Sequence, residues 1–164
     1  MELIKLWDAD VQKAYQLQSS FMENENGFVN AAFGYSFDEF KEYVNMRKEH
    51  SQGINLPEGY VADTVFILVD GERYVGIFNL RHELNDFLRN GAGHIGYAIS
   101  LDFRKKGYAT KGLALVLDKA REIGIEEAYL SVNKDNYASV KAQLNNGAVI
   151  HHEDDKEYYT RIKL

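Results

Sequence analysis

The chain has 164 residues, 45% hydrophobic and 27% charged, a profile that fits one globular domain and excludes disordered and fibrous classes. It has no cysteine, which removes disulfides, thiolate metal sites and a Cys nucleophile and suits a reducing, cytoplasmic setting. A formal net charge of −6 argues against a broad nucleic-acid surface, no apolar run approaches the ~20 residues of a membrane span, and the N-terminal MELIKLWDAD lacks the pattern of a leader peptide.

Glu2–Trp7 alternates as a first strand, and Asp8 is the expected cap of a helix along which Val11, Ala14, Tyr15, Leu17 and Phe21 recur at helical spacing. Asn24–Gly27 ends that helix. Ser36 and Glu39 spell a capping box, and Phe37, Phe40, Tyr43 and Val44 then mark the apolar stripe of a second helix. His50–Gly59, which holds the lone Pro57, reads as a surface loop. From there the period changes to two: Thr64–Val69 and Tyr74–Leu80 flank Asp70-Gly71, a hairpin turn. Leu84–Asn90 reads as a loop or short helical turn and Gly93–Leu101 as a strand. Gly107–Gly124 is helical, with Leu113, Val116, Leu117, Ala120 and Ile123 on one face. A strand at Glu127–Val132, a helix at Ala138–Asn145 and a strand pair at Val149–Glu153 and Tyr158–Leu164 complete the chain. The expected architecture is α/β: one domain over residues 1–164, a mixed, mostly antiparallel sheet flanked by helices.

Two glycine-rich stretches invite a nucleotide reading, and they separate on context. Gly91-Ala92-Gly93-His94-Ile95-Gly96 spells GxGxxG, but a dinucleotide fingerprint must open a helix, and here Tyr97–Leu101 continues as strand. Its glycines are expected to make a turn and to let another segment pass close to the backbone. Arg104-Lys105-Lys106-Gly107-Tyr108-Ala109-Thr110 instead lies between a strand and a long helix. The free N–H groups and positive dipole end of that helix, four nearby cations including Lys111, and the small Gly107 and Ala109 describe a phosphate site.

The stretch Gly93–Tyr97 through Arg104-x-x-Gly107-x-Ala109 resembles the acetyl-CoA-binding segment of the GCN5-related N-acetyltransferases, the GNAT family, as does Asn136-Tyr137-Ala138-Ser139 at the next helix start. Arg81–Asn85 and Gly93–Tyr97 are further similar to a little-characterised bacterial subgroup. The resemblance spans essentially the whole chain. It implies a CoA cleft beside the central strand Gly93–Leu101, with Ile99, Ser100 and Leu101 along the pantetheine arm. Arg104, Lys105, Lys106, Gly107, Tyr108, Ala109 and Thr110 would then hold the pyrophosphate, and Asn136 and Ser139 the arm or the turn beneath it. Acetyl-CoA is the implied co-substrate, with no metal, and a small-molecule amine is the implied acceptor. A peptide or protein amine, or a non-catalytic CoA-binding sensor, are the alternatives, and a homodimer is allowed. Two departures stand out: Leu101 replaces a proline common before the loop, and Gln143 occupies the position where many members place a tyrosine acid.

The chemistry needs a neutral amine and a leaving thiolate. A lysine-like amine is neutral about once in a thousand molecules at pH 7, so a base helps, whereas a thiol near pKa ~8.5 leaves readily without an acid. With no cysteine to carry the acyl group, transfer is expected to be direct. His94, on the strand face shared by Gly96, Ala98 and Ser100, is the first candidate base, with a structural histidine as the alternative. Glu83, beside Arg81 and His82 at a strand end, is the second. Glu153-Asp154-Asp155-Lys156-Glu157 reads as a solvated turn able to attract a cationic acceptor.

Overall fold

The computed structural model describes all residues, Met1–Leu164. In chain order it runs β1 (Glu2–Lys5), a 3-10 turn at Leu6–Asp8, α1 (Val11–Ser19), β2 (Asn24–Glu25), β3 (Phe28–Val29) and α2 (Phe37–Ser51). There follow β4 (Asp63–Asp70), β5 (Arg73–Arg81), α3 (Asp86–Arg89), β6 (Ile95–Ile99), α4 (Tyr108–Glu122), β7 (Glu127–Asn133), α5 (Tyr137–Asn145), β8 (Val149–Glu153) and β9 (Glu157–Lys163). No helix is long and apolar enough to cross a membrane.

Local chemistry sets the boundaries. Ser36 Oγ accepts the Glu39 N–H while Glu39 returns a carboxylate to the Ser36 N–H at 2.7 Å, so the expected capping box closes α2. The cap of α1 is Asp10 rather than Asp8: Asp10 accepts from the Lys13 N–H at 2.9 Å, because the chain first makes the 3-10 turn that contains Asp8. Asn26-Gly27, both at positive φ, turns the short β2–β3 hairpin that the sequence showed only as a helix end.

Four strands form one antiparallel sheet in the order β1-β4-β5-β6, and three form another in the order β7-β9-β8. The first sheet separates two cores. Phe66, Leu68, Phe78, Leu80, Ile95 and Ile99 pack against Leu113, Val116, Leu117 and Ala120 of α4. The opposite face, Val65, Ile67, Val69 and Ile77, packs against α1 and α2 through Leu17, Phe40 and Val44. The period of two along β4 thus feeds two layers of helix from one strand. Gly112 brings α4 down onto this sheet, since a Cβ there would lie 2.3 Å from Phe78 Cζ.

The two sheets touch at one isolated bridge, Gly93 to Leu130. The strand expected over Gly93–Leu101 is therefore shorter, with Gly93 at positive φ before it and Leu101 in a 3-10 turn after it. A Cβ on Gly93 would stand 2.1 Å from the Tyr129 carbonyl oxygen, so β7 is the segment that this glycine lets approach. Gly93→Ala combines that overlap with a left-handed backbone and should destabilise the fold by about 3 kcal/mol or more. Denaturant midpoints at unchanged m-value are the check, and an undisturbed midpoint would show that the sheets do not depend on this contact.

Candidate active site

On one side of β6 the β5 ladder is complete: Arg81 N–H reaches the His94 carbonyl at 2.8 Å and Ser100 N–H the Val75 carbonyl at 3.0 Å. Antiparallel alternation then turns the peptide groups of Ile95, Tyr97 and Ile99 away from β5, into the space where β6 has no further strand partner. That space is a cleft. Its larger part, of about 610 Å³, is lined by Tyr97, Ala98 and Ile99 of β6, by the turn before α4, by one side of α5 from Ala138 to Asn145 and by the β2–β3 hairpin.

The turn before α4 is built to receive an anion. Gly107, at φ +81°, is the α4 N-cap, and the N–H groups from Lys105 through Thr110 reach no backbone acceptor. A Cβ on Gly107 would meet no protein atom within 4 Å, so the cradle is open above it. Lys105, Gly107, Tyr108, Ala109 and Thr110 line the cleft.

Arg104 also lines it but is occupied. Its guanidinium grips both Glu25 oxygens at 2.7 Å, and Nε donates to the Ile99 carbonyl at 2.9 Å. The Arg104 hydrogen bond holds the Glu25 carboxyl below its ordinary range. The residue expected as one of four free cations is instead a clamp that fastens the β2–β3 hairpin over the cleft. Tyr108 is similarly engaged, donating to Asp70 at 2.6 Å beside the Asp70–Arg73 pair.

Asn136 and Ser139 stand on the opposite wall. Asn136 Oδ1 caps α5 by accepting the Ser139 N–H at 3.3 Å. Three residues expected on the cleft do not line it: Ser100 is buried, Leu101 is 64% exposed, and Lys106 turns back to the Asp102 carbonyl at 2.8 Å.

A second cavity, of about 320 Å³, continues from the first between β6 and β7, and Asn26, Phe28, Tyr97, Asn136 and Ser139 line both. Its floor carries Arg47, Asn79 and Arg81, and Glu157 is the one carboxylate on its wall. Tyr97 is the residue at the junction that sequence reasoning missed. Its ring stacks on Phe78 at 5.2 Å, and its hydroxyl lies 2.5 Å from Ser139 Oγ. Burial raises its pKa, an effect offset in part by hydrogen bonding to Ser139 and Gln143. Gln143 itself is 1% exposed, donates to the Ser131 carbonyl at 3.3 Å and accepts from Thr160 at 2.7 Å. Alternation along the strand was the only available signal for Tyr97, since it sends Ile95, Tyr97 and Ile99 to one face.

The placement of His94 on the cleft face is corrected. It precedes β6, lines neither cavity, accepts the Tyr129 N–H through Nδ1 at 3.0 Å and gives its own backbone N–H to the Tyr129 carbonyl at 2.7 Å. Burial first, then Arg81, Arg89 and Arg161, depress its pKa to about 4. Glu83 is exposed and lines neither cavity. Because the unfolded chain protonates His94 near pH ~6.5 and the native one only near pH 4, stability should be complete at pH 7 and fall as pH drops through that window. The loss approaches about 3 kcal/mol at the acid end. Urea unfolding of wild type and His94→Gln at pH 7 and 4.5 tests this: the variant should flatten the slope and keep turnover per folded molecule. A variant with wild-type pH dependence would contradict it.

Residues 2–149 match the model of the acetyltransferase (GNAT) domain. Among solved structures, ribosomal-protein-S5-alanine acetyltransferase from Vibrio fischeri superposes with a TM-score of 0.70 at 15% identity, covering 98% of this chain and 91% of that one. Campylobacter jejuni N-acetyltransferase PseH in complex with acetyl coenzyme A gives 0.64 at 15% identity, covering 99% and 97%. A point mutant of spermidine N-acetyltransferase SpeG from Vibrio cholerae gives 0.65 at 20%, covering 99% and 95%. No curated protein matches the sequence. With a family model covering most of the chain, and a fold of one α/β domain shared with these acetyltransferases, the protein belongs to the GNAT acetyltransferase family.

Proposed function

We propose that the protein is an acyl-CoA-dependent N-acyltransferase that transfers acetyl directly from acetyl-CoA to a small-molecule amine. The observation that carries this reading is the continuity of two cavities through Tyr97, one ending in a row of free N–H groups and the other in a mixed-charge pocket. Acetyl-CoA as donor is supported by the family and by the complex of one structural neighbour, and a small amine by the spermidine acetyltransferase among the neighbours.

In this reading the amides of Lys105–Thr110 and the α4 dipole hold the pyrophosphate, with Lys105 adding charge. The outward N–H and C=O of Tyr97 and the N–H of Ile99 align the pantetheine arm as a strand would, the Ile99 carbonyl being held by Arg104, and one of these N–H groups polarises the thioester oxygen. Glu157 meets the acceptor's ammonium and takes its proton, directly or through water. The amine nitrogen then forms a bond to the acyl carbon as the carbon–sulfur bond breaks, and it releases its second proton to water to leave the neutral amide. The Tyr97 hydroxyl protonates the departing thiolate and regains its proton from solvent. Gln143 cannot supply that proton, and its amide is in any case spent on Ser131 and Thr160.

Thiol release from acetyl-CoA across an amine panel is the deciding measurement. CoA binding without release for any amine would instead mark a binding module. Two variants test the parts. Gly107→Asp puts a carboxylate where phosphate oxygens belong and should abolish CoA binding in calorimetry while circular dichroism stays native. Tyr97→Phe keeps the ring stack and should leave acetyl-CoA affinity unchanged while lowering kcat about 10- to 100-fold. Unchanged affinity in the first or unchanged kcat in the second overturns the corresponding assignment.

A further inference from the structure

The second cavity contains chemistry that acyl transfer does not require. Arg47 of α2 pairs with Asp63 at the start of β4, and Asn79 of β5 donates Nδ2 to the same carboxylate oxygen at 2.8 Å. Both members of the pair are largely buried, with side chains 12% and 11% exposed. Arg81, register partner of Asp63, donates Nη1 to the Gly93 carbonyl at 3.0 Å and makes no ion pair. Burial, with Arg47 nearby, lowers its pKa against the pull of Asp63. A guanidinium nevertheless keeps its proton in a protein, so the two cations of this floor share one carboxylate, Asp63, which lies behind the lining. Only two buried side-chain polar atoms in the chain lack a hydrogen-bond partner, Arg47 Nε and Asn79 Oδ1, and both belong to residues lining this cavity.

A charge withdrawn from water without a counter-ion is unfavourable, and so is a buried donor left without an acceptor. An anion beside Arg81 and Arg47 relieves both. We infer that this end of the cavity is a carboxylate subsite, so that the acceptor is an amine that also carries a carboxylate, an amino acid or a close analogue. The inference rests on the second cavity being the acceptor site. The planar fork of Arg81 matches a carboxylate, and Asn79 Oδ1 remains to accept a donor on the same molecule. Glu157 supplies the opposite charge elsewhere on the wall, so the cavity complements a zwitterion. A polyamine would bring a second cation against two guanidiniums.

The test compares molecules that differ only in the charged group. Calorimetry on the wild-type protein, free and with CoA, measures N-acetyl derivatives of the common amino acids against their carboxamides, with spermidine as the polycationic control. The acids should bind at least about tenfold tighter than their amides, the scale of a charged hydrogen bond, and spermidine should bind more weakly than the best acid. Arg81→Gln should erase the acid preference and leave CoA affinity unchanged. If that variant does not fold, the acid–amide pairs on the wild type decide alone. Equal binding of acids and amides, or no binding of any acid, overturns the subsite. Selective binding of acids with no acetyl transfer to any free amino acid overturns the transfer reading and leaves the subsite standing.

Discussion

The contact between Gly93 and the Tyr129–Leu130 backbone organises this molecule. It is the one bridge joining a four-stranded to a three-stranded sheet, and a side chain at Gly93 would collide with the Tyr129 carbonyl. His94 closes the joint by exchanging hydrogen bonds with the Tyr129 N–H and C=O groups. Because the pairing stops there, the outward N–H and C=O groups of β6 are left without a strand partner. The Ile99 carbonyl is met by Arg104, and the outward groups beyond it require water or a ligand with amide-like chemistry. The same joint that holds the sheets together therefore sets the location and polarity of the cleft.

Charge in the cleft is arranged locally, against a net charge of −6. At the α4 end the cleft combines the helix N-terminus and the unpaired amides before it with Lys105 and Lys141. Arg104 is consumed in fastening Glu25 and the β2–β3 hairpin, which converts a surface cation into a wall of the cavity. This division has a physical logic. A backbone cradle is fixed by the fold and loses no side-chain entropy on binding, whereas a long lysine or arginine must be ordered each time.

What the sequence made legible follows from how local each signal is. The α2 capping box, the Asp70-Gly71 hairpin and the glycine before α4 are short-range chemistry, and each appears where the residues indicate. Periodicity and turn residues supplied the order of the longer elements, which matches the family's. The misplaced residues depend on long-range partners. Arg104 reads as a phosphate ligand until Glu25, distant in sequence, folds over it, and His94 reads as a cleft base until Tyr129 claims its Nδ1. Asp8 fails as a cap for a more local reason, an extra 3-10 turn. The two-residue strands of the hairpin are too short to carry any periodicity.

The exchange at Gln143 illustrates why a missing side chain at a motif position does not settle a site's chemistry. What a hydroxyl can reach is defined by where its oxygen stands, and α5 and β6 face each other across the junction of the two cavities. In this chain α5 contributes a glutamine whose two amide atoms tie it to β7 and β9 through Ser131 and Thr160, stiffening the wall. Strand alternation leaves β6 free to present Tyr97 toward the same wall, where Ser139 meets its hydroxyl. Its stack on Phe78 fixes the ring, so the oxygen is held in place by packing as well as by hydrogen bonds. In the proposed mechanism the glutamine stiffens the wall while the acid is a tyrosine that arrives from another element, so the loss at one position does not remove the acid from the site.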